Sequence, residues 1–283
     1  MVYQTLISAR DLSAHASDPR WRVIDCRFDL AAPEAGAAAY AAGHIPGAVY
    51  AHLDRDLSGP RGATDGRHPL PDPGVFAAWL GGVGVGPDVQ VVAYDASNGL
   101  YAARLWWMVR AIGHGAVAVL DGGLPAWLAL GLPLATARAQ WPARDCPATA
   151  HWPGTVDADR LAQLLAAGQS RLLDARAPER FAGASEPLDP VAGHVPGARN
   201  LPMARTLDAN GRMLAPEALR SRLAEATQGF APESVICMCG SGVTACHTLL
   251  ALEVAGQSGA RLYPGSWSEW CRDPSRPVAT GAA

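Results

Sequence analysis

The chain has 283 residues, of which 49% are hydrophobic and 17% are charged, so it can bury one large core or two ordinary ones. Its formal net charge is −3, and the absence of a concentrated Lys/Arg run argues against a nucleic-acid-binding surface. No apolar run of roughly eighteen residues and no signal-peptide pattern occurs, which predicts a cytoplasmic protein without a membrane segment. Six cysteines in a chain of this length are too few for a disulfide scaffold and are expected to be thiols.

The first half of the chain alternates strand-like and helix-like segments. RVIDCRFDL (22–30) reads as a strand, and the GHIPGA turn (43–48) follows it, with Gly and Pro fixing the backbone. PGVFAAWLGGVG (73–84) has helical character, and VQVVAY (89–94) is a short apolar run rich in β-branched residues, which is typical of a buried strand in a parallel sheet. Alternating strands and helices predict the α/β class.

The middle of the chain interrupts this alternation. The stretch 132–154 is rich in Pro and Ala and has no clear period, which predicts a linker. We therefore expect a first domain over residues 1–138, a linker over 139–153 and a second domain over 154–283.

The second half repeats the first in four blocks that keep their order. RLLDARAPERF and GHVPGA return with Asp174 in the place of Asp25 and His194 in the place of His44. ESVICMC corresponds to VQVVAYD, and RLYPGSWSEWC corresponds to VLDGGLPAWLA. We expect the two histidines to have turn or packing roles rather than catalytic ones. The repeat predicts two similar α/β domains, each a mostly parallel sheet flanked by helices.

The segment VICMCGSGVTACHTLLALE (235–253) points most directly to chemistry. It is typical of a strand that delivers Cys239 to a loop with two glycines, followed by a helix. Gly240 and Gly242 let successive backbone N–H groups point into one small bowl, and the helix N-terminus adds partial positive charge. Such a bowl binds anions and favours a thiolate, which makes Cys239 a candidate nucleophile. The alternative is a small apolar residue at the end of a buried strand.

The order of VIDCR, GHIPGA, CGSGVTA and GSWSEW across two repeats resembles the two-domain rhodanese-type sulfurtransferases. The CGSGVT loop is similar to that of the 3-mercaptopyruvate sulfurtransferases, and the resemblance covers nearly the whole chain. It implies two tandem rhodanese-like domains. It also implies transfer of a sulfane sulfur, by way of a persulfide on Cys239, from 3-mercaptopyruvate or thiosulfate to cyanide, a thiol or thioredoxin. No cofactor is required by this mechanism, and no nucleotide or flavin fingerprint is present.

Negative charge stays on sulfur throughout that chemistry, and preorganised hydrogen-bond donors stabilise it. The hydroxyls of Ser241 and Thr244 are further candidates, with helix capping as their alternative role. The expected amide donors are those of Gly240, Ser241, Gly242, Val243 and Thr244.

The first copy departs from the second at the decisive position, where YDASNGL has Asp95 in place of Cys239. An aspartate cannot hold a persulfide, so the N-terminal domain is expected to be catalytically silent. The resemblance places Asp54 and His68 among the N-terminal residues that line the mercaptopyruvate pocket, although both also fit a surface loop.

An anionic sulfur donor needs a cation, preferably a guanidinium that meets a carboxylate with two parallel hydrogen bonds. The resemblance assigns this role to Arg180, whose alternative is an ion pair with Glu179 or Glu186. Mercaptopyruvate enzymes usually carry a second arginine just after the Glu-Pro pair, and Leu188 stands there instead. Thiosulfate-preferring relatives tend to have basic residues inside the active loop, and this loop has none. The sulfur donor therefore stays open.

Three alternatives share the same residues. A zinc site would use Cys237, Cys239, Cys246 and His247, but alternate strand residues and adjacent helix residues do not fit zinc spacing. A cysteine phosphatase of related fold has Cys, five residues and then Arg, whereas Ala245 stands at that place. A non-enzymatic persulfide carrier would use the same Cys239, and only turnover separates it from an enzyme. A redox role for Cys237 also stays open.

Overall fold

A computed structural model describes residues 2–15 and 17–282. Contacts divide the chain into two compact units of nearly equal size. The predicted domain and linker limits are divisions of the sequence and stay a prediction. In the structure, unit 1 comprises Met1–Gly59, Leu70–Pro153 and Asn210–Arg212, and unit 2 comprises Pro60–Pro69, Gly154–Ala209 and Met213–Ala283. A short segment of the first half therefore belongs to unit 2.

Unit 1 contains five strands and five helices among its described residues. The strands are β1 (Leu6–Ile7), β2 (Trp21–Asp25), β3 (Val49–Tyr50), β4 (Gln90–Tyr94) and β5 (Val117–Leu120). The helices are α1 (Ala9–Ser13), α2 (Ala35–Ala42), α3 (Pro73–Gly82), α4 (Ala102–Ala111) and α5 (Gly123–Ala129). The strands form one parallel sheet in the order β1-β5-β4-β2-β3.

The two central strands of this sheet are buried along their whole length. Near-continuous apolar strands suit a parallel sheet that helices cover on both faces. Helix α3 begins where the sequence supplies its own start signal, because the Asp72 carboxylate accepts hydrogen bonds from the Gly74 and Val75 N–H groups and Pro73 follows as the first helical residue. The apolar core includes Tyr94 from β4.

Unit 2 repeats the same architecture with one strand fewer. Its strands are β6 (Arg171–Asp174), β7 (Arg199–Asn200), β8 (Val235–Met238) and β9 (Arg261–Leu262). Its helices are α6 (Ala158–Ala166), α7 (Pro178–Phe181), α8 (Pro216–Thr227), α9 (Ala245–Val254) and α10 (Ser266–Trp270). All pairings are parallel, in the order β7-β6-β8-β9. The predicted class, two mostly parallel sheets flanked by helices, is confirmed.

Strand β8 positions the cysteine loop. All four of its residues are buried, and it pairs with β6 on one side and β9 on the other. Cys239 follows β8 directly, so it lies at the carboxyl end of the parallel strands, where α/β folds place their ligand sites. Helix α9 continues from the loop with most of its residues buried. Within the described residues, no helix has the length and apolar character needed to cross a membrane.

The two turn histidines have equivalent packing roles. His44 donates from Nδ1 to the Tyr40 carbonyl at 2.8 Å and stacks on that tyrosine ring at 4.0 Å. His194 donates from Nδ1 to the Phe181 carbonyl at 2.8 Å and stacks on the phenylalanine ring at 3.8 Å. Both side chains are buried, as expected for residues that fix a turn rather than perform chemistry.

The stretch predicted to be a linker is fastened to unit 1. Residues 139–153 form no helix or strand. The Arg22 guanidinium lies 3.5 Å from the centre of the Trp141 ring, and burial lowers its pKa to about 10. Trp152 donates from its indole nitrogen to the Pro71 carbonyl at 2.6 Å. Aromatic anchors therefore hold this irregular stretch in place.

Candidate functional site

The loop of Cys239 is held by backbone contacts. The side chain of Cys239 is buried, with 3% of the residue exposed. Its backbone N–H donates to the Ser266 hydroxyl at 3.1 Å, and its carbonyl accepts from the Trp267 N–H at 3.0 Å. The first turn of α10, in the GSWSEW block, thus fixes the start of the loop.

Gly242 is required by the shape of this loop. Its φ is +78°, a conformation that favours glycine, and a Cβ there would lie 2.3 Å from the Pro264 carbonyl oxygen. The loop therefore turns where only glycine fits, against the residues that lead into α10.

Several backbone N–H groups of the loop stay available. Within the part of the chain that the structure describes, the N–H groups of Gly240, Ser241, Val243 and Thr244 donate to no protein oxygen. Unused donors in a loop that opens a ten-residue helix are what an anion-binding bowl requires. Thr244 precedes α9, but its hydroxyl makes no capping hydrogen bond.

Ser241 and His68 are brought together although 173 residues separate them. His68 Nδ1 lies 2.7 Å from the Ser241 hydroxyl, and both side chains are buried. His68 belongs to the Pro60–Pro69 segment of unit 2. Asp54 belongs to unit 1, where it is exposed and its backbone N–H donates to Nδ1 of His52 at 3.1 Å.

Arg180 pairs with acidic side chains and lies beside the cysteine loop. Its Nε and Nη2 donate to the Glu186 carboxylate at 3.1 and 2.7 Å, and Nη2 also reaches Asp189 at 3.2 Å. Of the two predicted structural partners, Glu186 is the one it contacts. Its Nη1 and Nη2 lie 3.4 and 3.5 Å from where a Cβ on Gly240 would stand. The guanidinium is thus anchored on one side and directed to the cysteine loop on the other.

Sequence analysis missed Arg67 and Asp189. The Arg67 guanidinium pairs through Nη1 with Asp189, and its Nη2 lies 2.8 Å from the Cβ position of Gly240. Arg67 directly precedes His68 in GRHPLP, so adjacency to a candidate site residue was the only signal available. Arg67 and Asp189 are 122 residues apart in the chain, and no local sequence pattern indicates that their side chains are in contact.

These side chains form a row of alternating charges, which we call the charge ladder. It begins at the end of β6, fully buried, and ends at Arg67, whose side chain is 18% exposed. Successive contacts measure 2.7, 3.4, 2.7 and 3.2 Å, followed by the ion pair of Asp189 with Arg67. Three guanidiniums and three carboxylates alternate, so their formal charges cancel. In order, the members are Asp174, Arg176, Glu186, Arg180, Asp189 and Arg67.

The neighbouring cysteines are packed into the fold. Cys237 is fully buried in β8, and burial raises the pKa of its thiol well above the usual range, which favours an inert thiol. Cys246 is also fully buried and donates to the Gly242 carbonyl at 3.3 Å. Among residues 2–15 and 17–282, no group of three His, Cys, Asp or Glu side chains is arranged to hold a metal ion.

Comparison with known proteins shows similarity over nearly the whole chain. A family model for the rhodanese-like domain matches residues 8–130 and 157–273. The chain is 47% identical over 278 residues to a probable 3-mercaptopyruvate sulfurtransferase of Pseudomonas aeruginosa, covering 98% of each chain. It is 43% identical over 285 residues to a putative thiosulfate sulfurtransferase, SseB, of Mycobacterium tuberculosis, covering 99% of this chain and 98% of that one. The crystal structure of the 3-mercaptopyruvate sulfotransferase SseA from Escherichia coli matches with a TM-score of 0.81 and 31% identity, covering 94% of this chain and 100% of that chain.

Proposed function

The chain belongs to the rhodanese family of sulfurtransferases, and on that premise we propose that it moves a sulfane sulfur from a small anionic donor to a thiophilic acceptor through a persulfide on Cys239. The observation that carries the proposal is the Cys239 loop, which has unused backbone N–H groups and sits between β8 and α9. Its counterpart in unit 1 has Asp95 in that place, which leaves Cys239 as the nucleophile.

The first half-reaction loads the cysteine. The Cys239 thiolate attacks the sulfur of 3-mercaptopyruvate, so that an S–S bond forms and the C–S bond breaks. The electron pair of the broken bond stays on carbon, which takes up the thiol proton, and pyruvate leaves. With thiosulfate, the thiolate attacks the outer sulfur, the S–S bond of thiosulfate breaks and sulfite leaves with the electron pair. Either route leaves Cys–S–S⁻ in the loop.

The loop residues supply stabilisation in this scheme. The amides of Gly240, Ser241, Val243 and Thr244 hydrogen-bond the persulfide anion, and preorganised donors in a buried loop are effective there because no reorganisation is needed. The Ser241 hydroxyl, held by His68 at 2.7 Å, adds a donor that can shift a proton. Arg180 binds the anionic end of the sulfur donor. For Asp54 we keep the donor-binding role that the family resemblance implies.

The second half-reaction unloads the cysteine. Cyanide attacks the outer sulfur and leaves as thiocyanate. A dithiol, either a small molecule or thioredoxin, is oxidised to its disulfide while the outer sulfur leaves as hydrogen sulfide. Both routes return the Cys239 thiolate, so the protein turns over without a bound cofactor.

The experiment is steady-state sulfur transfer from 3-mercaptopyruvate and from thiosulfate, with cyanide or a dithiol as acceptor. Cys239→Ser should lose all turnover and should fail to gain the mass of one sulfur atom after exposure to the donor. Cys146→Ser is the matched control, because this half-buried thiol lies outside the loop. Full activity in Cys239→Ser refutes the mechanism. One loading per chain without turnover from either donor would instead favour the persulfide carrier.

A further inference from the structure

A second guanidinium stands beside Arg180 at the cysteine loop. Leu188 occupies the place where the mercaptopyruvate enzymes usually have their second arginine, and it is 47% exposed. Arg67 comes instead from the Pro60–Pro69 segment, which belongs to unit 2. The cation is therefore present, although it comes from a different part of the chain.

The backbone around Arg67 is pinned to unit 2. Arg272 donates to the Asp65 carbonyl at 2.6 Å, and the Arg67 N–H donates to the Ser268 hydroxyl at 2.9 Å. Between them, Gly66 packs so closely that a Cβ would lie 2.5 Å from a backbone oxygen. These contacts fix the point from which the Arg67 side chain extends.

The two guanidiniums share Asp189 as an acceptor, and both lie close to Gly240. Arg67 gives Nη1 to Asp189 and turns Nη2 toward Gly240. Arg180 gives Nη2 to Asp189, and its Nη1 and Nη2 lie 3.4 and 3.5 Å from the Cβ position of Gly240. Both exposed ends lie within 3.5 Å of one point, the position of a Cβ on Gly240, next to the nucleophile. Only a glycine leaves that point free.

We propose that Arg67 and Arg180 together form a carboxylate clamp for a 2-oxo acid sulfur donor such as 3-mercaptopyruvate, with Asp189 as the positioning residue between them. The inference rests on the function proposed above and deepens it. Two N–H-bearing nitrogens from separate guanidiniums suit the two oxygens of one carboxylate. Because Asp189 holds the inner edges of both side chains, the clamp is preorganised before the donor arrives.

The net charge of the charge ladder favours the same class of sulfur donor. Its formal charges cancel, and the Cys239 thiolate adds one negative charge beside it. A singly charged carboxylate donor therefore meets less repulsion than doubly charged thiosulfate, since like charges in a buried site interact strongly. The clamp thus favours 3-mercaptopyruvate over thiosulfate.

The test compares Arg67→Ala with Arg61→Ala, which removes an exposed arginine of the same segment. Loss of a charge-assisted hydrogen bond should lower kcat/KM for 3-mercaptopyruvate about 10- to 100-fold in Arg67→Ala, while Arg61→Ala stays within about twofold. Arg67→Lys should fall between them, since it keeps the charge but not the planar fork. Asp189→Asn should raise the ratio of thiosulfate to 3-mercaptopyruvate kcat/KM, because the site gains one positive charge.

A single-turnover arm separates donor binding from general damage. Enzyme loaded to the persulfide and freed of excess donor should pass its sulfur to an uncharged dithiol at the wild-type rate in Arg67→Ala. The clamp is wrong if Arg67→Ala behaves like Arg61→Ala with 3-mercaptopyruvate, or if persulfide discharge slows as much as loading. If Arg67→Ala does not fold, Arg67→Lys and Arg67→Met carry the same comparison. An inactive Cys239→Ser beside an unaffected Arg67→Ala would leave the proposed function standing and remove only the clamp.

Discussion

The loop after β4 and the loop after β8 occupy equivalent places in two copies of one architecture, yet they treat negative charge differently. In unit 1, the Asp95 carboxylate is fully buried and is itself the anion. Burial raises its pKa, and hydrogen bonds from the backbone oppose that rise. It accepts, at 2.7 to 2.9 Å, the N–H groups of Ser97, Gly99, Tyr101 and Ala102. In unit 2 the amides of Ser241 and Val243, the counterparts of Ser97 and Gly99, donate to no protein oxygen within the described residues, which leaves them available to a bound anion.

The two units also differ in the charged residues next to these loops. Both copies hold a buried aspartate at a strand end against an arginine two residues on, with Asp25 and Arg27 at 2.6 Å and Asp174 and Arg176 at 2.7 Å. The Arg27 guanidinium donates to the Asp25 carboxylate and to the Gly43 carbonyl. Arg176 continues to Glu186 and from there along the charge ladder to the Cys239 loop. Only the second copy extends its structural ion pair into a site.

The largest effect is expected when the second loop is made like the first. Cys239→Asp should abolish sulfur transfer, because a carboxylate cannot carry a persulfide. It should nevertheless be more stable than Cys239→Ala, by about 1 kcal/mol or more, since the loop amides gain a permanent acceptor as in unit 1. Urea unfolding of both variants measures this. An aspartate variant less stable than the alanine variant would show that the amides of the second loop do not stabilise a negative charge.

Asp95→Ala tests the same comparison in unit 1, where the carboxylate is part of the fold. It leaves four N–H groups of unit 1, three of them buried, without their acceptor, so we expect a loss of about 3–5 kcal/mol in the free energy of unfolding. The measurement is the urea or thermal midpoint, with Asp95→Asn expected to fall between alanine and wild type because its amide oxygen still accepts.

Asp145→Ala is the control for this substitution, since it removes an exposed carboxylate of the same unit and should shift the midpoint by less than about 0.5 kcal/mol. Equal midpoints for Asp95→Ala and Asp145→Ala would mean that water replaces the carboxylate as acceptor for the loop amides of unit 1 with no loss of stability.

Gly242→Ala tests how tightly the shape of the second loop is set, with Gly256→Ala as its control. Both glycines have a φ of +78°, but a Cβ on Gly242 would lie 2.3 Å from the Pro264 carbonyl, whereas one on Gly256 meets nothing within 4 Å. Both substitutions carry the backbone strain of about 1 kcal/mol. We expect Gly242→Ala to cost about 1–3 kcal/mol more, and to lower kcat. Matching thermal midpoints for the two variants would argue that the loop moves freely away from Pro264.

The sequence was sufficient for the fold and for the place of Cys239 in a loop between a strand and a helix, because both depend on local order. The apolar run before Cys239, the glycines after it and the repeat of four blocks are all readable along the chain. Arg67 and Asp189 were missed because their significance lies in a contact between segments 122 residues apart. Leu188 left the sulfur donor open for the same reason: a missing arginine in one segment says nothing about a cation supplied by another.

Leu188→Arg should have the smallest effect, and it tests whether Arg67 already supplies the second guanidinium. Position 188 is exposed, and only its backbone N–H touches the ladder, at 3.1 Å from Glu186. If Arg67 already supplies the second guanidinium, an arginine at 188 adds an exposed charge of small value, and kcat/KM for 3-mercaptopyruvate should change by less than about fivefold. In an Arg67→Ala background, the same substitution should recover part of the lost activity. A large gain in the wild-type background would mean that the clamp was incomplete, because an added cation helps only where one is lacking.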